Sequence, residues 1–310
     1  MTTSASSASF ASRSWVRRVR TLVAVGLTWT ALHLLVGQPL MPRGLNRPVA
    51  FAAAPAPVAA ALAAAAILAV GAFAAPWITG VRLRSQGLLI AAAALALWAY
   101  PGGTMDDWLT LSAPGGVVGP PSGQPYWPLV LECVFLAMVA VVALALGTLS
   151  AARVGQEHPT PAATELRRAF GFDLDPRERR DGLLALATTT IVIGILMLAL
   201  TGPAAGRTLV GQVYFAITVA SALGVFAATR LVGVRHPIWF WPAPILAGLI
   251  GLVVAALKPG LTIPAEYNQL NSIPAWGLAR GLPTQIVGVG ITITLWTLRA
   301  TSGGSHSERA

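Results

Sequence analysis

The chain has 310 residues, of which 55% are hydrophobic and only 10% are charged, and its formal net charge is +10. Soluble proteins carry about 25% charged residues, so this composition excludes an ordinary soluble domain and indicates an integral membrane protein. The positive charge does not indicate nucleic-acid binding, because no basic face is interleaved with aromatic residues. A lone cysteine, Cys133, excludes an internal disulfide and a cysteine metal cluster.

Eight apolar segments are long enough, or nearly so, to cross a hydrocarbon core about 30 Å thick. In chain order they are Thr21–Gly37, Pro57–Trp77, Leu83–Tyr100, Trp127–Leu149, Gly182–Thr201, Thr208–Thr229, Ile238–Leu257 and Leu282–Leu298. The first follows three arginines, as a signal peptide would, but small residues suitable for cleavage lie too far beyond it. We therefore expect an uncleaved anchor. The third segment is the weakest, because Arg84 lies within it.

The second half of the chain repeats the first. The stretch Gly71–Arg82 reads GAFAAPWITGVR and Gly224–Arg235 reads GVFAATRLVGVR, and seven of the thirteen positions 70–82 and 223–235 are identical. Pro101-Gly102-Gly103-Thr104 resembles Pro259-Gly260-Leu261-Thr262, and a proline follows 24 residues after each of these prolines. Each repeat holds four apolar segments. The predicted fold is therefore an all-α integral membrane protein of eight transmembrane helices in two parallel four-helix repeats, 21–149 and 182–299.

Arginine placement predicts the orientation, because cytoplasmic loops of membrane proteins carry an excess of Lys and Arg. With the N-terminus inside, 16 arginines lie on the cytoplasmic side and five basic residues lie outside. We therefore expect both termini in the cytoplasm and the protein in the plasma (inner) membrane. Residues 1–20 are expected to form a disordered cytoplasmic N-terminus, residues 150–181 a cytoplasmic linker, and residues 300–310 a disordered cytoplasmic tail.

The linker carries six arginines and six acidic residues, so its near-zero net charge argues against a polybasic lipid-binding segment. From Thr160-Pro161 onward, a short helix would place Leu166, Ala169 and Phe170 on one face, and Gly171 could end it. We expect this helix to lie on the inner membrane surface. The sequence Asp175-Pro176-Arg177-Glu178 then has the form of a capping box that begins the fifth span.

Residues that could carry chemistry are few. Nucleotide-binding, metalloprotease and CxxC motifs are absent from the sequence, and its four histidines have no metal-ligand spacing, so we predict no catalytic residue, metal or cofactor. Asp106 and Asp107 lie in the first outer loop and could bind a cation or act as an acid/base pair. Adjacent carboxylates in such a loop are more often solvated turn residues. The repeat aligns them with Pro264 and Ala265, so any such site belongs to one half.

Two ionisable residues, His33 and Glu132, lie inside predicted spans at a similar depth below the outer boundary. A charge at that depth needs a partner, so both are expected to face the protein interior. An up-down bundle can place the first helix beside the fourth, and the two residues are then the best candidates for an ion pair or ligand site. The alternative is that each meets a backbone carbonyl, a loop or interfacial water.

Two hypotheses of function stand equal at this stage. One is a structural or assembly subunit that holds other membrane proteins, and the other is a small-solute transporter that uses the interface between the repeats. A membrane enzyme with its site in the outer loops ranks below both. The expected partners are the lipid bilayer and other membrane proteins; no nucleic acid is expected, and the sequence does not identify a small-molecule ligand. A polar cavity between the halves would favour transport, and a tightly packed apolar seam would favour the structural subunit.

Overall fold

A computed structural model describes residues 4–41, 48–81, 83–112, 124–154, 161–201, 209–258 and 277–303. Within these ranges the secondary structure is helical, apart from one isolated β-bridge between Pro48 and Gly103. The α-helices are α1 Ser4–Leu32, α2 Pro57–Thr79, α3 Gln86–Ala99, α4 Met105–Ser112, α5 Tyr126–Arg153, α6 Ala162–Ala169, α7 Pro176–Leu200, α8 Val210–Leu231, α9 Pro242–Leu257 and α10 Pro283–Gly303. A π-helical turn, His33–Gly37, continues α1, and a 3-10 turn, Pro237–Trp239, precedes α9.

Six helices of the described chain are long and apolar enough to cross a membrane. They are α1, α2, α5, α7, α8 and α9, the last with its preceding 3-10 turn. Their large apolar side chains, such as Leu62, Leu131 and Ile195, are exposed, as lipid-facing side chains are. The all-helical structure with these six helices indicates a multi-pass membrane protein.

The other two predicted spans differ from the expectation. Helix α3 has 14 residues, about 21 Å at 1.5 Å per residue, which is shorter than the predicted Leu83–Tyr100 and shorter than the hydrocarbon core. Helix α10 is long enough but buries polar residues, among them Thr284, Gln285 and Thr294. The two helices pack against each other. Because protein rather than lipid surrounds most of their length, neither needs the length or the apolar composition of a lipid-facing span.

The predicted disordered N-terminus is wrong for the part that the structure describes, because α1 begins at Ser4 and includes Arg20. The first 25 residues contain neither Gly nor Pro, so nothing in the sequence breaks a helix that extends back from the first span. Helix α10 likewise continues to Gly303, inside the predicted tail. The remaining tail residues, residues 1–3, Arg82 and most of the second outer loop (259–276) lie outside the described residues.

The predicted linker elements are confirmed. Helix α6 occupies the expected position, and Gly171 follows it with a φ of 69°. Helix α7 begins at Pro176 with the expected capping box, in which the Asp175 backbone N–H donates to Glu178 Oε2 at 3.4 Å. In contrast, α4 lies between the predicted third and fourth spans, in a segment for which the sequence analysis gave no helix.

The helices pack as two groups joined along a central seam. In the first group α2 contacts α1, α3 and α5, and α3 also contacts α1 and α5. In the second group α8 contacts α7 and α10, while α9 contacts α7 and α10. Contacts of α3 with α10, and of α5 with α9 and α10, form the seam. The largest apolar cluster crosses it and joins residues of α3 and α5 to residues of α9 and α10.

Several arginines lie together at one end of the bundle, which we call the arginine end. Arg84 pairs there with Glu165 of α6. Arg299 Nη1 donates to Gln86 Oε1 at 2.8 Å and Nη2 donates to Ser85 Oγ at 3.2 Å. These bonds tie the end of α10 to the beginning of α3. The other end of the bundle, where α4 and the Phe51–Ala53 turn lie, is called the opposite end.

Candidate functional site

The two adjacent aspartates at the opposite end have different surroundings. Asp107 is the third residue of α4, and its Oδ2 accepts hydrogen bonds from the backbone N–H of Thr104 at 2.6 Å and from Thr104 Oγ1 at 3.1 Å. This is the reciprocal half of a capping box, in which the N3 carboxylate satisfies the N-cap backbone N–H. The Asp107 side chain therefore caps the N-terminus of α4, and its carboxylate is engaged in these hydrogen bonds.

Asp106 is buried, with only 3% of its surface exposed. Its charge acts on Tyr126, the first residue of α5, and on Arg280, which precedes α10 and is itself buried. Burial lowers the pKa of the Arg280 guanidinium, and the Asp106 carboxylate opposes that shift. Arg280 Nη1 also donates to the backbone carbonyl of Thr201 at the end of α7. Asp106 and Arg280 thus couple the first half of the chain to the second.

Glu132 and His33 do not form the hypothesised pair. Glu132 faces the interior, as expected, and its Oε2 accepts a hydrogen bond from the Ala52 backbone N–H at 3.0 Å. Its second oxygen, Oε1, is buried without a hydrogen-bond partner among the described residues. His33 is exposed and its ring stacks on Trp29 with a centroid distance of 5.6 Å. The expectation that His33 faces the interior is therefore wrong: its partner is the indole four residues earlier on α1, one of the positions that share a helix face.

A cavity of about 580 Å³ opens at the arginine end. The beginning of α3, the end of α5, helix α6 and the segment before α9 all contribute to its walls. The lining residues are Leu83, Arg84, Ser85, Leu144, Thr148, Ala151, Ala152, Glu165, Arg168, Ala169, His236, Pro237 and Ile238. It is thus an amphiphilic cavity of the size that small ligands occupy in proteins.

Two arginines share one carboxylate in this cavity. Arg84 Nε lies 3.0 Å from Glu165 Oε2, and Arg168 Nη1 lies 3.4 Å from Glu165 Oε1. The Glu165 side chain is 11% exposed, whereas those of Arg84 and Arg168 are 42% and 49% exposed. The carboxylate is therefore held inside, and both guanidinium groups reach solvent.

His236 closes one side of the cavity in its neutral form. Its Nδ1 accepts a hydrogen bond from the Ile238 backbone N–H at 3.4 Å, so the proton belongs on Nε2, which lies 3.1 Å from the Arg168 carbonyl oxygen. Burial lowers the pKa of His236. The bond to Arg168 opposes this shift. The imidazole thereby joins α6 to the segment before α9.

Reasoning from the sequence missed this cavity, although some signals were present. Arg84 interrupts an apolar segment, and Glu165 and Arg168 lie three residues apart on an amphipathic helix. What the sequence does not contain is their proximity, since 81 residues separate Arg84 from Glu165. Among the described residues, no group of three His, Cys, Asp or Glu side chains could hold a metal ion.

No protein-family model matches this chain, and neither a curated protein nor a solved structure is similar to it. The geometry of the chain itself therefore carries every functional argument.

Proposed function

We propose that this chain is a multi-pass protein of the plasma membrane that acts as a structural or assembly subunit. Its eight transmembrane helices form two parallel four-helix repeats, with α1, α2, α3 and α5 in the first and α7, α8, α9 and α10 in the second. Its partners are the lipid bilayer and other membrane proteins, and it is not an enzyme.

The helix contacts support the duplication. Exchanging each helix of the first repeat for its counterpart in the second converts the pairs α1–α2, α1–α3, α2–α5 and α3–α5 into α7–α8, α7–α9, α8–α10 and α9–α10. All of these pairs are in contact, whereas the contact α2–α3 of the first group has no α8–α9 counterpart among the main helix contacts. The same exchange converts the seam pair α3–α10 into α9–α5, which is also in contact. A twofold axis along the membrane normal accounts for this pattern.

Buried positions support the same alignment residue by residue. On α1 and α7 they pair at a constant separation of 161 residues: Ala24, Thr28, Leu32 and Val36 with Ala185, Thr189, Ile193 and Met197. On α2 and α8 the separation is 153 residues: Ala60, Ala64, Leu68, Ala72 and Ala75 with Val213, Ile217, Ser221, Val225 and Ala228. These pairings support including the first helix of each half in the proposed repeat, where sequence identity alone is weak.

Two glycine positions match in detail. Gly80 follows α2 with a φ of 65°, and Gly233, its counterpart, lies just beyond α8 with a φ of 78°. Both adopt the left-handed conformation that commonly ends helices. Gly71 of α2 packs directly against Thr28 of α1, and its counterpart Gly224 packs against Thr189, the counterpart of Thr28.

One observation carries the functional proposal: the middle of the seam between the two helix groups is apolar and closely packed. A Cβ atom on Gly288 of α10 would lie 2.7 Å from the Ala96 backbone nitrogen of α3, so the two backbones are in direct contact. Near the middle of the seam, Leu95, Leu136 and Ile291 enclose a cavity of only about 20 Å³. A solute path needs a continuous polar cavity at this place, whereas a rigid subunit needs the observed packing.

A deletion strain tests the structural role. Quantitative proteomics of its membranes should show reduced abundance of particular integral membrane proteins at unchanged transcript levels, and re-expression of the chain should restore them. Purified protein in vesicles should pass no more solute than empty vesicles. An unchanged membrane proteome together with flux through the vesicles would contradict the proposal.

Solute transport is the second candidate, because buried polar residues gather at the opposite end of the seam. Gln285 of α10 donates to the Gly103 carbonyl oxygen at 3.3 Å, and Asp106 and Arg280 lie in the same region. If this cluster gates a path, Arg280→Gln should change flux in vesicles. Arg167→Gln should leave it unchanged, because Arg167 lies on α6 at the arginine end and pairs with Asp173. A membrane enzyme with its site in the outer loops stays the lower-ranked alternative; Asp107 is engaged in capping α4, and Asp106 is buried.

A further inference from the structure

The arginine-end cavity combines three properties that together indicate which kind of ligand it can bind. Its charged lining consists of two arginines and one glutamate, which gives a net positive charge. Its hydroxyl groups come from Ser85 and Thr148, while the remaining wall is largely aliphatic. An anion with apolar neighbours fits such a cavity better than a fully hydrated anion does.

The arginines keep donors available for a ligand. Glu165 engages Arg84 through Nε and Arg168 through Nη1. Within the described part of the chain, these two guanidinium groups make no other side-chain hydrogen bond, and both groups reach solvent. Guanidinium groups bind phosphate oxygens through paired N–H donors.

The residues around the cavity indicate that it lies close to the membrane surface. Helix α6 buries Ala169 and Glu165 against the bundle, while Leu83 and Phe172, at the same end, expose 50% and 61% of their surfaces. Apolar and aromatic side chains exposed beside arginines are typical of the membrane–water interface. A ligand that arrives from the lipid layer can therefore enter from the side.

We propose that this cavity binds the phosphate group of an anionic phospholipid. Arg84 and Arg168 contact the phosphate, the Ser85 hydroxyl contacts the headgroup, and the aliphatic wall contacts the first carbons of the acyl chains. Glu165 holds the two arginines in place and competes with the phosphate for them. His236 fixes the backbone of Arg168 and so positions α6 over the cavity.

Native mass spectrometry of the full-length, delipidated chain tests this assignment. Phosphatidylglycerol should bind about tenfold more tightly than zwitterionic phosphatidylcholine, and the double variant R84Q/R168Q should lose that preference. The matched control is Arg167→Gln, because Arg167 lies on the same helix but pairs with Asp173 and does not line the cavity. Equal binding of the two lipids to the parent chain, or an unchanged preference in the double variant, would overturn the proposal.

Two further variants keep the test decisive if the double variant does not fold. Ala152→Phe fills the cavity without changing its charge and should abolish the preference, whereas Glu165→Gln removes the competing carboxylate and should tighten phosphatidylglycerol binding several-fold. Retained preference in A152F or weaker binding in E165Q would contradict the site.

An experiment with inorganic phosphate distinguishes the two possible sources of a bound phosphate group, a phospholipid and free phosphate. Millimolar phosphate should displace phosphatidylglycerol only partly, because it lacks the acyl contacts. Stabilisation of the chain by phosphate without any lipid preference would assign the cavity to free phosphate and overturn the lipid assignment. The failure of the structural role would leave these binding results unchanged, since they do not depend on it.

Discussion

At the scale of single residues, the ionisable groups of this chain differ in how they are compensated. Asp107 caps the N-terminus of α4, whereas the charge of Asp106 acts on Arg280, a buried arginine of the other half. Glu132 accepts a backbone N–H from the Phe51–Ala53 turn instead of pairing with a histidine. The sequence indicated which residues could matter, but their partners lie far away along the chain.

Replacing Asp106 with asparagine should destabilise the protein by about 2 kcal/mol, because the buried Arg280 then loses a compensating negative charge. Asp107→Asn should cost clearly less, since an amide oxygen can still accept the capping bonds. Thermal unfolding in detergent measures both. A double-mutant cycle with Arg280→Gln should return a coupling energy, and additive effects would show that the two side chains do not interact.

His236 should make stability depend on pH in a defined direction. Because burial lowers its pKa below the ordinary value of 6.5, the unfolded chain binds a proton at a higher pH than the folded chain does. Stability is therefore fully present above about pH 6.5 and falls as the pH drops from there towards the folded pKa. The charges that also act on the ring are Arg84, which lowers its pKa, and Glu178, which raises it.

Melting temperatures between pH 7.5 and pH 5 measure this effect. The variant His236→Gln should have a flatter pH profile than the parent chain. A parent profile that rises on acidification would contradict the neutral, hydrogen-bonded imidazole.

At the scale of helices, close contacts depend on small residues where two backbones meet. A Cβ on Gly71 would lie 2.6 Å from the Thr28 side chain, whereas a Cβ on Gly26 of α1 would meet nothing within 4 Å. Small residues of this kind allow transmembrane helices to approach each other. Both the α1–α2 contact and the α7–α8 contact contain a glycine at such a position.

Gly71→Ala should therefore destabilise the protein by about 1–3 kcal/mol, because α1 must move away from α2. Gly26→Ala, the matched control, should be neutral or slightly stabilising, since alanine favours the helix and has room. Gly224→Ala should act in the same direction as Gly71→Ala but more weakly, because its nearest contact is 3.1 Å. Thermal unfolding that ranks the three variants otherwise would contradict the proposed equivalence.

At the scale of the whole molecule, the arginine end and the opposite end should face different sides of the membrane. The hydrogen bonds at the arginine end join Arg84, Arg168 and Arg299, which are distant in sequence, at one end of the bundle. From the distribution of arginines we expect that end to face the cytoplasm.

Single cysteines at Ser112 and Thr164, introduced into a Cys133→Ala background, test this orientation. Cys133 is buried and free, so its replacement by alanine removes the background thiol at a small cost in packing. A membrane-impermeant thiol reagent should label Ser112→Cys in intact cells and Thr164→Cys only after permeabilisation. Labelling of both from one side would contradict the eight-span arrangement.

The sequence by itself determined the helical membrane class, the positions of α6 and α7, and most segment boundaries. Apolar segment length, prolines and capping residues are local properties, so they can be read without knowing which helices are neighbours. Prediction from these local properties was less accurate for helices that are surrounded by protein rather than by lipid. Helix α3 is short and α10 polar because they are buried against each other.

Only the tertiary structure decided how the charges are grouped. Summed over residues 150–181 the charge is close to zero, yet the fold places Glu165 inside and brings Arg84 from another segment to its side. The fold also leaves His33 exposed and places Asp106 near enough to Arg280 for its charge to act on the guanidinium group. Electrostatic and hydrogen-bonding partners depend on distances in space, and those distances follow from helix packing rather than from separation along the chain.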